Sequence, residues 1–146
     1  MRELPRQLTA DELAELFEGR TRFVERLAAE EDPLVRARTL VHELPADEKK
    51  EILDAHPAIG ARAGLSARSA AEQGADADPA VLDQLARLNA EYEARHGFRF
   101  VVFVNRRPKA EILEVLKARV GNPTGVELET ALDELVAIAE DRWCSR

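Results

Sequence analysis

The chain has 146 residues, 45% hydrophobic and 34% charged, enough for one domain that buries roughly 70% of its unfolded surface. Its 28 acidic and 21 basic side chains leave a net charge of −7, which argues against a nucleic-acid surface, since phosphate contacts need clustered Lys and Arg. A single cysteine, Cys144, excludes an internal disulfide and a Cys-rich zinc site. With no apolar run near about 18 residues and no signal-peptide core, a cytoplasmic protein without a membrane partner is expected.

Aromatic residues are sparse, and the apolar content is mostly Ala, Leu and Val, which suits helix–helix packing. Thr9 with Glu12 reads as a capping box opening a helix with Leu13, Leu16 and Phe17 inward and Gly19 as its stop. A second helix runs through Phe23, Val24 and Leu27. Asp32-Pro33 starts a third, with Leu34, Val35, Ala37, Leu40, Val41 and Leu44 as its inward stripe. Pro45 restarts the chain into a charged helix over 47–55 that buries Ile52 and Leu53.

After His56-Pro57 comes a Gly/Ala-rich connection over 60–65, then a short helix carrying Glu72, broken by the polar stretch 74–78. Asp78-Pro79 opens the next helix, which runs through Val81, Leu82, Leu85, Leu88 and Tyr92 to Gly97. The period then changes. Residues 98–104 are β-branched and aromatic, yet no second such run exists to pair with them, and an isolated strand cannot satisfy its backbone. A buried extended segment inside a helical domain is expected, its backbone groups free to face a ligand. Pro108 starts a helix burying Ile112, Leu113, Leu116 and Val120. Thr124 with Glu127 suggests a second capping box before the last helix, whose inward residues are Leu128, Leu132, Leu135, Val136, Ile138, Ala139 and Trp143. The whole is an all-α single domain, 1–146, of about seven or eight helices.

Pro57 disfavours helical geometry at the residue before it, so His56 ends a helix, where the dipole favours a protonated imidazole. Ser69, Glu72 and Gln73 fall at i, i+3 and i+4 and share one face of the short helix. An imidazole near Ser, Glu and Gln is an acid/base constellation; the plainer reading is a histidine ending a helix and a solvated Glu-Gln pair. His42 reads as a surface or boundary residue and His96 as a partner of helix-terminal carbonyls. With three scattered histidines and no HExxH, no metal site is expected. Arg119 and Arg142 lie near helix ends, where cations are favourable, and either could clamp an anion. Residue pattern alone reaches a helical domain with a His/Glu pocket.

Five motifs occur together and in order. They are His56-Pro57-x-Ile59-Gly60, Ser69-x-x-Glu72-Gln73, Leu88-Asn89-x-x-Tyr92, Gly97-Phe98-x-Phe100-Val101-Val102, and Arg119-x-x-Asn122 leading to Glu127-Leu128 and Arg142. With Phe17-Glu18 and Phe23-Val24 near the start, the chain resembles the OHCU decarboxylases, the 2-oxo-4-hydroxy-4-carboxy-5-ureidoimidazoline decarboxylases of urate degradation. It departs from the family pattern at Ala71, where a basic residue is usual, and at Arg99, where proline is usual. It also departs at Gly74-Ala75-Asp76 and at Arg20-Thr21-Arg22.

The resemblance implies cofactor-free loss of CO₂ from an anionic ureidoimidazoline, the substrate's own C=N unit taking the electrons, and reprotonation on one face to give (S)-allantoin. It assigns proton transfer to His56 and its polarisation, or the substrate hydroxyl, to Glu72. Pro57 lines the pocket, and Ser69 and Gln73, with Ala70 and Ala71 between them, bind the substrate. Main-chain groups of Phe100, Val101, Val102, Phe103 and Val104 hydrogen-bond its ring. Attraction of an anion to this acidic protein has to be local, through protonated His56 or through Arg142 or Arg119. The family also implies a homodimer. The competing reading, prompted by Ala71 and Arg99, is a non-catalytic module on the same scaffold that binds a ureide or a partner protein.

Overall fold

A computed structural model describes residues 3–59 and 78–145. Among them are seven helices and no strand: α1 (Ala10–Phe17), α2 (Arg22–Ala28), α3 (Pro33–Glu43), α4 (Ala46–Asp54), α5 (Pro79–His96), α6 (Lys109–Val120) and α7 (Thr124–Cys144). The short helix expected around Glu72 lies outside the described residues.

Three of the seven described helices start on a side-chain cap. Glu12 N donates to Thr9 Oγ1 at 3.1 Å while Thr9 N donates to Glu12 Oε1 at 3.0 Å, so the expected capping box forms. Thr21 caps α2 through Val24 N at 3.4 Å. Asp78 caps α5 through Ala80 N at 2.9 Å, with Pro79 in the first turn. Gly97 then ends α5 with φ 79°, a left-handed conformation that glycine adopts without a Cβ penalty.

Two expectations need correction. The second capping box does not form: α7 begins after Pro123 with no side-chain cap, because both of its members are used elsewhere. Thr124 Oγ1 meets His96 Nδ1 at 2.7 Å, and the Glu127 carboxylate binds Tyr92, Arg119 and Asn122. On α3, Leu34, Ala37 and Val41 are buried but Val35 is 57% exposed. Val35 follows Leu34 by one residue, about 100° round the helix, outside the stripe that the other three define.

Helix α7 is the centre of the packing: it touches α1, α3, α4 and α5, while α5 pairs with α6 and α1 with α2. Ala131, Leu132, Leu135, Val136 and Ala139 are fully buried along it, and the small residues let neighbouring helices approach. Trp143, near its end, donates Nε1–H to the Glu3 carbonyl at 2.8 Å and so holds the N-terminal segment against the bundle.

Residues 98–104 form the expected extended segment. Phe98, Phe100, Val101, Val102 and Val104 are buried, and neither helix nor strand is present there. The Tyr92 ring sits edge-on to Phe98 and to Phe100, with centroids 5.8 and 5.2 Å away. Asn105 and Arg106, both at positive φ, turn the chain out of the segment towards α6.

Candidate active site

The corner after α4 places the histidine. Helical hydrogen bonding ends as Ala55 N reaches Glu51 O and His56 N turns back to Leu53 O at 3.2 Å, and Pro57 continues the chain away from the helix. This leaves His56 5% exposed, with its Nε2 buried and unpaired among the described residues. A buried polar atom without a partner is uncommon in a folded protein and marks a place where a ligand group can bind.

Arg142, near the end of α7, is only 2% exposed and lies at the closing turn of α1. Its Nη1 donates to the Glu15 and Leu16 carbonyls at 3.2 and 3.3 Å, and its Nη2 to Glu18 Oε1 at 2.9 Å. Those carbonyls lie in the last turn of α1, and Glu18 itself closes the helix in left-handed geometry. An arginine fork fits this task as an ammonium would not.

His56 is not held protonated as its helix-end position suggested. Burial pushes its pKa down to about 4, the Arg142 guanidinium pushes the same way, and Glu18 and Arg99 act more weakly in opposite directions. A helix dipole contributes about 0.3–1 kcal/mol, whereas a displacement from 6.5 to about 4 corresponds to about 3 kcal/mol. Desolvation wins. At neutral pH the imidazole is uncharged and can accept a proton, and the positive charge in this corner belongs to Arg142.

The extended segment is held by side chains rather than by a neighbouring strand. Arg119 Nη1 donates to Val101 O at 3.0 Å, and Arg107 donates to Phe103 O and Val104 O at 2.6 and 3.0 Å. Phe103 N donates to Glu134 Oε1 at 3.4 Å. The N–H and C=O groups of Phe100 and Val102 have no hydrogen-bond partner among the described residues, although both residues are buried. Arg119 is committed through two of its nitrogens, Nη1 to Val101 O and Nε to Glu127 Oε1 at 2.8 Å, and its guanidinium lies 4.7 Å above the Phe100 ring, while its Nη2 is buried and unpaired among the described residues.

A family model described as OHCU decarboxylase matches residues 2–143. The chain belongs to that family. It is 34% identical over 114 residues to the 2-oxo-4-hydroxy-4-carboxy-5-ureidoimidazoline decarboxylase of Haloferax volcanii, covering 73% of this chain and 66% of that protein. The protein of the same name from Amia calva is 33% identical over 111 residues, covering 70% of this chain and 63% of the other. The chain thus spans slightly less than two thirds of the length of these relatives. A crystal structure of an OHCU decarboxylase in the presence of (S)-allantoin superposes with a TM-score of 0.75 and 26% identity, covering 90% of this chain and 94% of that one.

Of the residues that the OHCU decarboxylase pattern singles out, His56 and Arg142 interact electrostatically, with half-buried Pro57 next in the chain. Ser69, Ala70, Ala71, Glu72 and Gln73 lie outside the described residues. Arg119, in the last turn of α6, braces Val101, and among the described residues the arginine charges acting on His56 are those of Arg142 and Arg99. His96 is occupied through both nitrogens, by Thr124 and by the Val120 carbonyl of α6 rather than by its own helix. His42, half-buried on α3, meets Asp133 at 2.6 Å. Sequence reasoning did not foresee Glu18 as the partner of Arg142, or Arg99 beside His56. No local pattern signals a contact between residues so far apart in the chain. Among the described residues no three His, Cys, Asp or Glu side chains gather as a metal site, and no helix is long and apolar enough to cross a membrane.

Proposed function

We propose that the protein decarboxylates 2-oxo-4-hydroxy-4-carboxy-5-ureidoimidazoline to (S)-allantoin in urate degradation, with residues 1–146 acting as one catalytic domain and His56 as the proton carrier. The observation that carries this reading is the buried, unpaired Nε2 of an uncharged His56 in the field of Arg142. Membership of the family supports it.

The substrate's carboxylate and hydroxyl share one ring carbon, next to the C=N carbon that bears the ureido group. When the bond to the carboxylate breaks, its electron pair forms a double bond to the ureido-bearing carbon. The C=N pair moves onto nitrogen, which takes a proton from solvent. Neutral His56 accepts the hydroxyl proton as the ring carbonyl forms, and returns that proton to the ureido-bearing carbon from one face. One CO₂ leaves and one solvent proton is consumed, and the substrate provides its own electron sink.

In this reading Arg142 attracts the substrate carboxylate and the unpaired peptide groups of Phe100 and Val102 bind the ring. Pro57 lines the pocket. Ser69 and Gln73, with Ala70 and Ala71 between them, bind ureido or ring amide groups, and Glu72 polarises His56 or handles the hydroxyl. Arg119 acts through Val101 by holding the segment in place. On the same family resemblance we read the working form as a cytoplasmic homodimer, which sedimentation equilibrium checks.

The test is circular dichroism of freshly generated substrate with and without the protein. Uncatalysed decay gives racemic allantoin, so a growing signal of the (S) sign reports stereospecific turnover. A flat trace from folded protein that nevertheless binds allantoin would replace this reading with that of a ureide-binding module.

A further inference from the structure

Arg99 stands between Phe98 and Phe100, where the family pattern leads one to expect proline. Its backbone N donates to Asp54 Oδ1 at 2.9 Å, a bond that proline has no hydrogen to make. Its Nη1 donates to the His56 carbonyl at 2.5 Å and to the Asp54 carbonyl at 3.3 Å. Its Nε meets Glu93 Oε1 on α5 at 3.3 Å. The Asp54 carbonyl is the last of α4, where a helix leaves acceptors unsatisfied and where its dipole favours a cation, and the His56 carbonyl lies two residues beyond it. One side chain therefore joins α4, the extended segment and α5 at the residue where the chain turns to present the imidazole. Among the described residues, the His56 main chain has two hydrogen bonds: one back to Leu53 and the one from Arg99.

We propose that Arg99 is a positioning residue for His56. By clamping the His56 and Asp54 carbonyls to segment 98–104, it holds the imidazole in place beside Arg142 and the extended segment. The inference rests on the decarboxylase reading for its kinetic consequence, but the clamp itself is a property of the free protein. Among the described residues, the charges that act on the imidazole are those of Arg142 on α7, Glu18 at the end of α1, and Arg99. Asp54 on α4 and Glu93 on α5 bind Arg99, and Glu134 on α7 binds Phe103 N.

Three full-length variants test this: Arg99→Pro, which removes every bond; Arg99→Gln, which keeps the backbone donor but loses the charge and the fork; and Arg99→Lys, which keeps the charge. For Arg99→Gln and Arg99→Pro, kcat falls by about 10- to 100-fold while KM changes by less than about threefold, because a displaced proton carrier affects the chemical step more than binding. Arg99→Lys recovers part of kcat. In Arg99→Gln the NMR titration midpoint of the His56 imidazole moves upward, since a cation that lowered it has gone. If Arg99→Pro does not fold, Arg99→Gln decides. A folded Arg99→Gln protein with wild-type kcat, pH profile and imidazole titration overturns the proposal. An inactive wild-type protein would instead overturn the decarboxylase reading, and the substrate-free carbonyl-carbon NMR shifts of His56 and Asp54, which move in Arg99→Gln only if those hydrogen bonds are lost, would still decide whether Arg99 holds His56.

Discussion

The Tyr92 phenol donates to Glu127 Oε1 at 2.7 Å inside the bundle, joining α5 to α7. The same carboxylate accepts from Arg119 Nε at 2.8 Å and Asn122 Nδ2 at 2.9 Å, so α6 and the turn after it are tied to the same point. Because Arg119 also holds Val101 O, the network ends at the extended segment. Burial pushes the Glu127 carboxyl up, but the hydrogen bonds from Asn122 and Tyr92 and the charge of Arg119 more than offset it and leave it below its usual value. The Tyr92 phenol is pushed up, by burial and by its bond to Glu127.

Removing parts of this network should cost unequally. Tyr92→Phe loses one hydrogen bond and lowers unfolding free energy by about 1–2 kcal/mol. Glu127→Ala strands a buried guanidinium and costs about 3–5 kcal/mol. Urea unfolding of the two variants checks the order. A carboxyl depressed on folding stabilises above its unfolded pKa and loses that contribution as pH falls through the folded value. Glu127→Gln should therefore lack part of the wild-type destabilisation seen below about pH 4.5.

His56 gives a second, separable acid dependence. Its folded pKa of about 4 lies below the ordinary 6.5, so the unfolded chain binds more protons between these values. Stability is fully expressed above about pH 6.5 and falls by about 3 kcal/mol as pH drops towards about 4. His56→Asn should flatten this limb in a pH series of urea midpoints. The acid limb of kcat/KM should fall near pH 4 rather than 6.5, because that quantity reports the free enzyme.

Arg142 joins two tasks, closing α1 and supplying positive charge beside His56. Arg142→Lys keeps the charge but cannot reproduce bonds to Glu15 O, Leu16 O and Glu18 together. Its kcat/KM should fall by about 100-fold, largely through KM, with a stability loss of about 1–3 kcal/mol in thermal unfolding. Unchanged KM would remove Arg142 from substrate binding and leave it as a helix-closing residue.

Neighbouring positions on α3 offer a packing test. Leu34→Ala, at a fully buried site, should cost about 2–5 kcal/mol. Val35→Lys, at a residue 57% exposed, should stay within about 0.5 kcal/mol. Chemical denaturation of both distinguishes the true stripe from the wider one suggested by hydrophobicity alone.

The elements readable from sequence were those whose causes are local. Thr9 and Glu12 lie three residues apart and bond as their spacing suggests, and Asp78-Pro79 starts α5. The unpaired character of 98–104 followed from the absence of a second strand-like run. Thr124 and Glu127 have the same spacing as Thr9 and Glu12, yet distant partners take both side chains. A buried acceptor goes to the strongest available donors, and their sequence positions carry no local mark. The protonation of His56 was hidden for the same reason: the helix end is visible in the sequence, whereas the burial that outweighs it comes from the assembled bundle. Glu72 and its neighbours, legible as a motif, lie outside the described residues.

The segment 98–104 is braced at its peptide groups by Arg119, Arg107 and Glu134, leaving those of Phe100 and Val102 unpaired among the described residues. A recognition surface built from main chain differs from one built from side chains in how it tolerates evolutionary drift. Exchanging Val102 for isoleucine or leucine alters volume but leaves its peptide donor and acceptor unchanged. On the substrate-binding reading proposed above, such a surface can be resized by point substitution while its hydrogen-bonding pattern stays intact, and the side chains whose loss would disturb it are the braces Arg119, Arg107 and Glu134.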